Sequence, residues 1–178
     1  MQVPGSSDEE KKALPYDYQR IKLLGTGGQG SVSLVKLIKH NNQDEKRVDE
    51  FRALKRIYCS DLDQLNLALR EALSVLQIGQ HVNVVKCFKF FIEREEERVQ
   101  NKNLIDKESV CIMYEYCERG SLADMIKYRR STNKIIPWKI VLEIFKQTVS
   151  GIHFIHSNRI CHRDMVGLIF HTFYWNCP

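Results

Sequence analysis

A chain of 178 residues, 43% of them hydrophobic and 28% charged, has the composition of a globular protein and argues against wholesale disorder. The net charge of +5 does not by itself predict a nucleic-acid partner. The cysteines form no C-x-x-C pair, the N-terminus has no apolar signal-peptide core, and the apolar run at 166–170 is too short to span a membrane. We therefore expect reduced thiols, a cytoplasmic or nuclear location, and neither a nucleic-acid nor a membrane partner.

Short apolar runs dominate the first third of the chain. Residues 1–15 are polar and are expected to form a mobile leader. The runs YQRIKLLG and SVSLVKLI flank a glycine cluster and predict a β-hairpin. Polar residues 41–50 then lead into FRALKRIYC (51–59), in which apolar and charged residues alternate, and this run predicts a third strand.

A helix and two further strands are predicted next. Asp61 is a suitable N-cap and Gly79 a suitable C-cap for a helix over 62–78. Its leucines recur at helical spacing: Leu62, Leu65, Leu69, Leu73 and Leu76. The runs VVKCFKFFI (84–92) and SVCIMYEYC (109–117) predict strands, and we expect the charged stretch between them, which contains EREEER, to be a solvated surface loop.

Helices follow the last strand. A short one is predicted over 121–130, and Pro137 opens a long one that extends to about Ser157. Three strands, a helix, two strands and then helices predict an α+β fold, with a small sheet first and the helices later.

The glycine cluster LGTGGQGSV has Gly25, Gly27 and Gly30 at G-x-G-x-x-G spacing. Glycines allow a backbone to approach phosphate oxygens closely, although a glycine-rich hairpin turn explains the pattern equally well on its own. In dinucleotide-binding folds such glycines lie between a strand and a helix. Here they lie between two predicted strands, which disfavours a dinucleotide oxidoreductase.

Lys55 in the third predicted strand could hold the phosphates of a nucleotide. A buried lysine needs a carboxylate partner, and Glu71 in the middle of the predicted helix is the candidate. Either residue alone would be interpreted as an ordinary surface charge.

Together these motifs resemble those of the eukaryotic protein kinases. Three further stretches carry the likeness. QHVNVVK (80–86) is similar to the H-P-N-I-V connection of that family, and MYEYCERGSLADMI (113–126) is similar to its interlobe linker. ICHRD (160–164) is similar to its catalytic loop. The resemblance implies an α+β kinase fold. Residues 16–117 would form the first lobe, which consists of a small antiparallel sheet and one helix, together with the hinge. Residues 118–164 would form the first helices of the second lobe. The expected type is serine/threonine, and the linker resembles that of the NIMA-related kinases.

The resemblance also implies a role for individual residues on the adenine side of an ATP site. Leu24, Val32 and Ala53 would form the roof over the base. The Glu115 carbonyl and the Cys117 amide would bind its edge, behind the gatekeeper residue Tyr114.

On the phosphate side, the three glycines would cover the phosphates and Lys55 would bind them, oriented by Glu71. Asp164 would be the catalytic base, His162 would support its loop, and Arg163 would be available to an activation-loop phosphate. ATP and Mg²⁺ are the implied cofactors, and the protein substrate is unknown.

The match ends after Asp164. Val166 and Ile169 stand where serine/threonine kinases have a lysine and an asparagine, and no D-F-G follows within these 178 residues. We expect the tail, 165–178, to depart from the family. The chain is then expected to be a kinase homologue truncated after its H-R-D motif, and to be inactive alone. The alternative is a non-catalytic module that binds ATP or a partner protein.

No metal site is predicted from the ligands present. The candidate donors His153, His156, Cys161 and His162 fit no common zinc spacing, and a helix explains the first two as residues of one face.

Overall fold

The computed structural model describes residues 17–38, 50–97 and 105–161. Its elements are β1 (Asp17–Gly27), β2 (Gly30–Ile38), β3 (Glu50–Cys59), α1 (Leu62–Gln77), β4 (Cys87–Glu97), β5 (Ile105–Glu115), α2 (Leu122–Ser131) and α3 (Trp138–Ser157). The leader, the tail and the expected catalytic base Asp164 lie outside the described residues.

The five strands form one sheet in the order β1-β2-β3-β5-β4, and every neighbouring pair is antiparallel. The glycine cluster supplies the two-residue connection between β1 and β2, because Gly27 pairs directly with Gly30. With one helix on the sheet and two helices after it, the predicted α+β fold class is confirmed.

The sheet has apolar residues on both faces, because alternate residues of each strand point in opposite directions. The face that carries α1 buries Ile57, Val110 and Ile112 against Ala68 and Ala72 of the helix. A second cluster occupies the opposite face: Val35, Leu54, Cys111 and Met113, packed against Tyr18, Leu37 and Phe91. Strand β5, which lies between β3 and β4, contributes to both clusters, and its residues 109–113 are all buried.

Helix α1 has the expected caps but a different buried face. The Asp61 carboxylate accepts a hydrogen bond from the Gln64 N–H at 2.8 Å, and Gly79 has a φ of 81° just beyond the helix end. The expected leucine face is only partly correct. Leu65 and Leu69 pack against the sheet cluster. The other three are exposed: Leu62, Leu73 and Leu76.

The reason lies in the two small residues of α1 that face the sheet. Ala68 and Ala72 are buried and allow the helix backbone to approach the strands closely. The helix is therefore rotated by roughly a fifth of a turn from the position that its leucines alone would favour. This rotation also turns Glu71 toward β3, where it contacts Lys55.

The prediction of a surface loop between the last two strands is largely wrong. Strand β4 continues to Glu97 and β5 begins at Ile105, so the charged stretch extends the hairpin. Arg94 and Glu108 form an ion pair across it, with 2.9 Å between Arg94 Nε and Glu108 Oε1. Glu93, which was expected to be solvated, has protein partners on the sheet.

The last two helices lie where the sequence predicts them. Ser121 and Asp124 form a reciprocal capping box at the start of α2, and Pro137 precedes the first residue of α3. The α1–β4 connection holds α3 through His81, whose ring stacks on Phe154 at 4.7 Å. Within the described parts of the chain, no helix combines the length and the apolar character needed to cross a membrane.

Candidate nucleotide-binding site

The strand register brings the predicted site residues to one face of the sheet. Val32 pairs with Lys55 across β2 and β3, and Ala53 pairs with Tyr114 across β3 and β5. Since Lys55 and Ala53 are two residues apart, all four side chains lie on the same face. This is also the face that carries α1, so Glu71 enters the group from above the sheet.

Lys55 and Glu71 form an ion pair. Lys55 Nζ lies 2.5 Å from Glu71 Oε1, and the two side chains are 38% and 42% exposed. An ion pair this open contributes only about 0–1 kcal/mol to stability, because solvent screens it and both side chains lose conformational freedom. The fold therefore gains little from this pair, whereas a positioned ammonium group with open access is well suited to an anionic ligand.

The glycines of the hairpin fall into two physical classes. A Cβ added to Gly30 would lie 1.9 Å from the backbone oxygen of Arg56, so β3 requires a glycine at this position. Around the corresponding points at Gly25, Gly27 and Gly28, no described residue apart from the chain neighbours has an atom within 4 Å. No neighbouring group explains those three glycines, and the space beside them is open to a ligand. This arrangement fits a phosphate group held against the turn.

The three residues predicted to lie over an adenine base differ in their exposure and in the regularity of the strand around them. Val32 and Ala53 are half-buried between the strands and present apolar surface on the Lys55 side. Leu24 lies in an irregularity of the β1–β2 ladder, between Leu23 and Gly25, and its side chain is 41% exposed. An aromatic base could cover its exposed part.

The segment after β5 has the polar groups expected at an adenine edge. The Glu115 N–H donates to the Lys86 carbonyl at 2.9 Å, which fixes the end of β5. The Cys117 carbonyl accepts from the Gly120 N–H at 3.2 Å. Among the described residues, the Cys117 N–H has no backbone acceptor, as its expected contact with an adenine edge requires.

Two side chains near this edge are held neutral by burial. Burial, followed by the charge of Glu115, raises the pKa of the Cys117 thiol to about 11. Burial also raises the pKa of Tyr114 well above its usual range, and the neighbouring Cys87 and Glu71 add to the effect. Tyr114 packs against the cluster beneath α1 and so closes the back of the site as an uncharged phenol.

The catalytic-loop residues cannot be placed, because His162, Arg163 and Asp164 lie outside the described residues. Over the ranges that the structure covers, no three His, Cys, Asp or Glu side chains are grouped so as to hold a metal ion.

A polar cluster on the opposite face of the sheet was missed from the sequence. Glu93 accepts hydrogen bonds from Tyr18 and Arg56, and the buried Cys111 thiol lies beneath it. Burial, reinforced by Glu93, raises the pKa of Cys111 to about 12. The sequence gives no local signal for this cluster, because Glu93 opens a charged run and its two donors come from the distant strands β1 and β3.

Similarity to known proteins agrees with this geometry. A model of the protein kinase domain matches residues 18–166. The chain belongs to the protein kinase family. Its relatives include the human serine/threonine-protein kinase Nek11, which is 32% identical over 147 residues that make up 80% of this chain and 19% of Nek11.

Other relatives within the family are more distant in sequence. Mitogen-activated protein kinase kinase 2 of Arabidopsis thaliana is 29% identical over 84% of this chain and 34% of its own length. Wee1-like protein kinase 2 of Xenopus tropicalis is 29% identical over 84% of this chain and 23% of its own length. The chain thus spans between 19% and 34% of these relatives.

Proposed function

We propose that this chain is the ATP-binding part of a protein kinase of serine/threonine type. The observation that carries the proposal is the Lys55–Glu71 pair, which lies on the same sheet face as open space beside Gly25 and Gly27. An ammonium group and glycine backbone in this relation suit the phosphates of a nucleotide. Family membership narrows the nucleotide to ATP, with Mg²⁺ as its companion ion.

Each side of the site would hold a different part of the ligand. Lys55 would bind phosphate oxygens, and Glu71 would keep its ammonium group in place. Val32 and Ala53 would contact the base from above, and the Cys117 N–H would donate to its edge. Bound ATP supplies a transferable phosphoryl group.

Binding and transfer are separable in this chain. Stabilising the charge on a transferring phosphoryl group requires metal ligands and a cation. Val166 and Ile169 occupy the positions of the catalytic-loop lysine and asparagine. We therefore propose that residues 1–178 bind ATP without appreciable transfer, a behaviour that also fits a non-catalytic, kinase-like module.

The binding proposal is tested by titrating ATP and adenosine against the wild-type chain and two variants. Lys55→Met removes the ammonium group in the site. Lys89→Met is the matched control, because Lys89 pairs with Met113 and so lies on the opposite face of the same sheet. We expect wild type and Lys89→Met to bind ATP with a Kd of about 1 µM or weaker. Lys55→Met should lose ATP affinity but keep its adenosine affinity.

The transfer proposal is tested by incubating the purified chain with labelled ATP, magnesium and a generic protein substrate. No incorporation above background is expected. Incorporation that disappears in both Lys55→Met and Asp164→Asn would contradict the proposal, whereas equal ATP binding by wild type and Lys55→Met would contradict the site itself.

A further inference from the structure

On the sheet face opposite Lys55, three polar side chains from three strands form a compact group, here called the edge cluster: Tyr18, Arg56 and Glu93. Tyr18 Oη donates to one carboxylate oxygen of Glu93, and Arg56 Nη2 donates to the other. The Arg56 and Glu93 side chains are only 6% and 20% exposed. Both oxygens of a largely buried carboxylate therefore have a donor from a different strand.

The edge cluster joins the two ends of the sheet. Strands β1 and β4 are the opposite edges of the sheet, and among the described strands β1 is paired with β2 alone. Curvature of the sheet brings the edges together, so that the Tyr18 and Phe91 rings lie 6.2 Å apart. Burial and the Glu93 carboxylate raise the pKa of Tyr18 to about 12, so its hydroxyl remains a donor at neutral pH.

The β1–β2 ladder is interrupted between the edge cluster and the glycine turn. It is irregular at two places, between Arg20 and Lys22 and between Leu23 and Gly25. Both irregularities lie between the edge cluster and the glycine turn, where fewer regular backbone hydrogen bonds hold the hairpin in position.

Arg56 links the edge cluster to the glycine turn. Its side chain binds Glu93, while its backbone oxygen occupies the space where a Cβ of Gly30 would lie, 1.9 Å away. Close by, the Tyr58 N–H donates to the Gln29 carbonyl at 3.0 Å. Arg56 is also the chain neighbour of Lys55, so a displacement of Arg56 would move the support of the turn and the phosphate-binding cation together.

We propose that the edge cluster is a positioning device for the nucleotide site: through Arg56 it fixes the separation between the glycine turn and Lys55. Tyr18 and Glu93 act through Arg56 and make no contact with the ligand. The effect on ligand affinity rests on the proposed function, whereas the effect on the turn itself does not.

The test uses the whole chain and three variants. Tyr18→Phe removes one hydroxyl and leaves the Arg56–Glu93 pair in place. Glu93→Gln removes the charge. Glu108→Gln is the matched control, because it breaks the neighbouring Arg94–Glu108 pair, in which Arg94 is exposed.

Two readouts separate positioning from general destabilisation. The first is the ratio of ATP affinity to adenosine affinity, because only ATP reaches the glycine turn with its phosphates. The second is amide hydrogen exchange across 25–32 compared with 109–113 in the buried strand β5. Thermal melting identifies any variant that fails to fold. If Glu93→Gln fails to fold, the test relies on Tyr18→Phe.

Tyr18→Phe is expected to weaken ATP binding about fivefold or more, a typical coupling between distinct sites, with adenosine affinity unchanged. Exchange at 25–32 should accelerate more than at 109–113, and Glu108→Gln should match wild type in both readouts. Equal losses of ATP and adenosine affinity, or parallel acceleration of both segments, would overturn the proposal. If wild type binds neither ligand, the proposed function fails, and unchanged exchange at 25–32 would still refute the edge cluster's role.

Discussion

Substituting Gly30 by alanine should destabilise the fold, although the sequence motif alone gives this glycine a purely ligand-binding role. The added Cβ would lie 1.9 Å from the Arg56 carbonyl oxygen and 3.0 Å from its carbon. Non-bonded heavy atoms prefer a separation of about 3.5 Å or more, so the hairpin or β3 must move by more than about 1 Å. The obstacle is backbone, which cannot rotate out of the way as a side chain can.

The size of the effect follows from two costs. Overpacking of this kind costs about 1–3 kcal/mol. Displacement of the turn also threatens the 3.0 Å hydrogen bond from the Tyr58 N–H to the Gln29 carbonyl, worth about 1 kcal/mol. Replacing glycine by alanine also lowers the conformational entropy of the unfolded chain, which stabilises the folded state by about 0.4–1 kcal/mol. We therefore expect Gly30→Ala to lower the free energy of unfolding by about 1–3 kcal/mol.

Gly27→Ala is the control, because its added Cβ would lie within 4 Å of no described residue apart from its chain neighbours. Urea denaturation, with the slope checked for constancy, should show this variant to be at least as stable as wild type. The same variant should lose ATP affinity if phosphates approach the turn. Equal stabilities of the Gly30 and Gly27 variants would refute the steric argument.

Three further predictions concern other parts of the chain. Trp138 and Phe145 are 75% and 62% exposed on α3, so the chain should self-associate in light scattering, and serine at both positions should reduce the association. The exposed Cys161 should react with a thiol reagent at neutral pH before Cys117, whose labelling by mass spectrometry should rise as the pH approaches about 11. Ser121→Ala removes the capping box of α2 and should cost about 0.5–2 kcal/mol of stability in urea denaturation.

Local signals in the sequence were sufficient for much of the fold. The cap at Asp61, the short helix α2 and the start of α3 after Pro137 depend on neighbouring residues only, and the structure has all three. Predicting that Lys55 pairs with Glu71 also required the order of the motifs along the chain, because the two residues come from different elements.

The rest depends on curvature and helix rotation, which no local pattern encodes. Glu93 lies in a run of charges that is typical of a solvated loop, and its environment follows from the approach of β1 to β4. Arg56, a charged residue of the alternating run 51–59, is buried on the same face of the sheet. The exposed side of α1 likewise follows from the fit of Ala68 and Ala72 against the sheet, which periodicity does not reveal.

The most direct test of the nucleotide site is amide hydrogen exchange of the whole chain with and without ATP and magnesium. The site draws on three separate segments: the glycine hairpin at 24–32, the strand around Lys55 at 52–56, and the segment at 114–117. We predict that ATP slows exchange in all three together and leaves 122–131 in α2 unchanged. Absence of protection in the three segments, or protection confined to α2, would contradict the assignment of this sheet face as the nucleotide site.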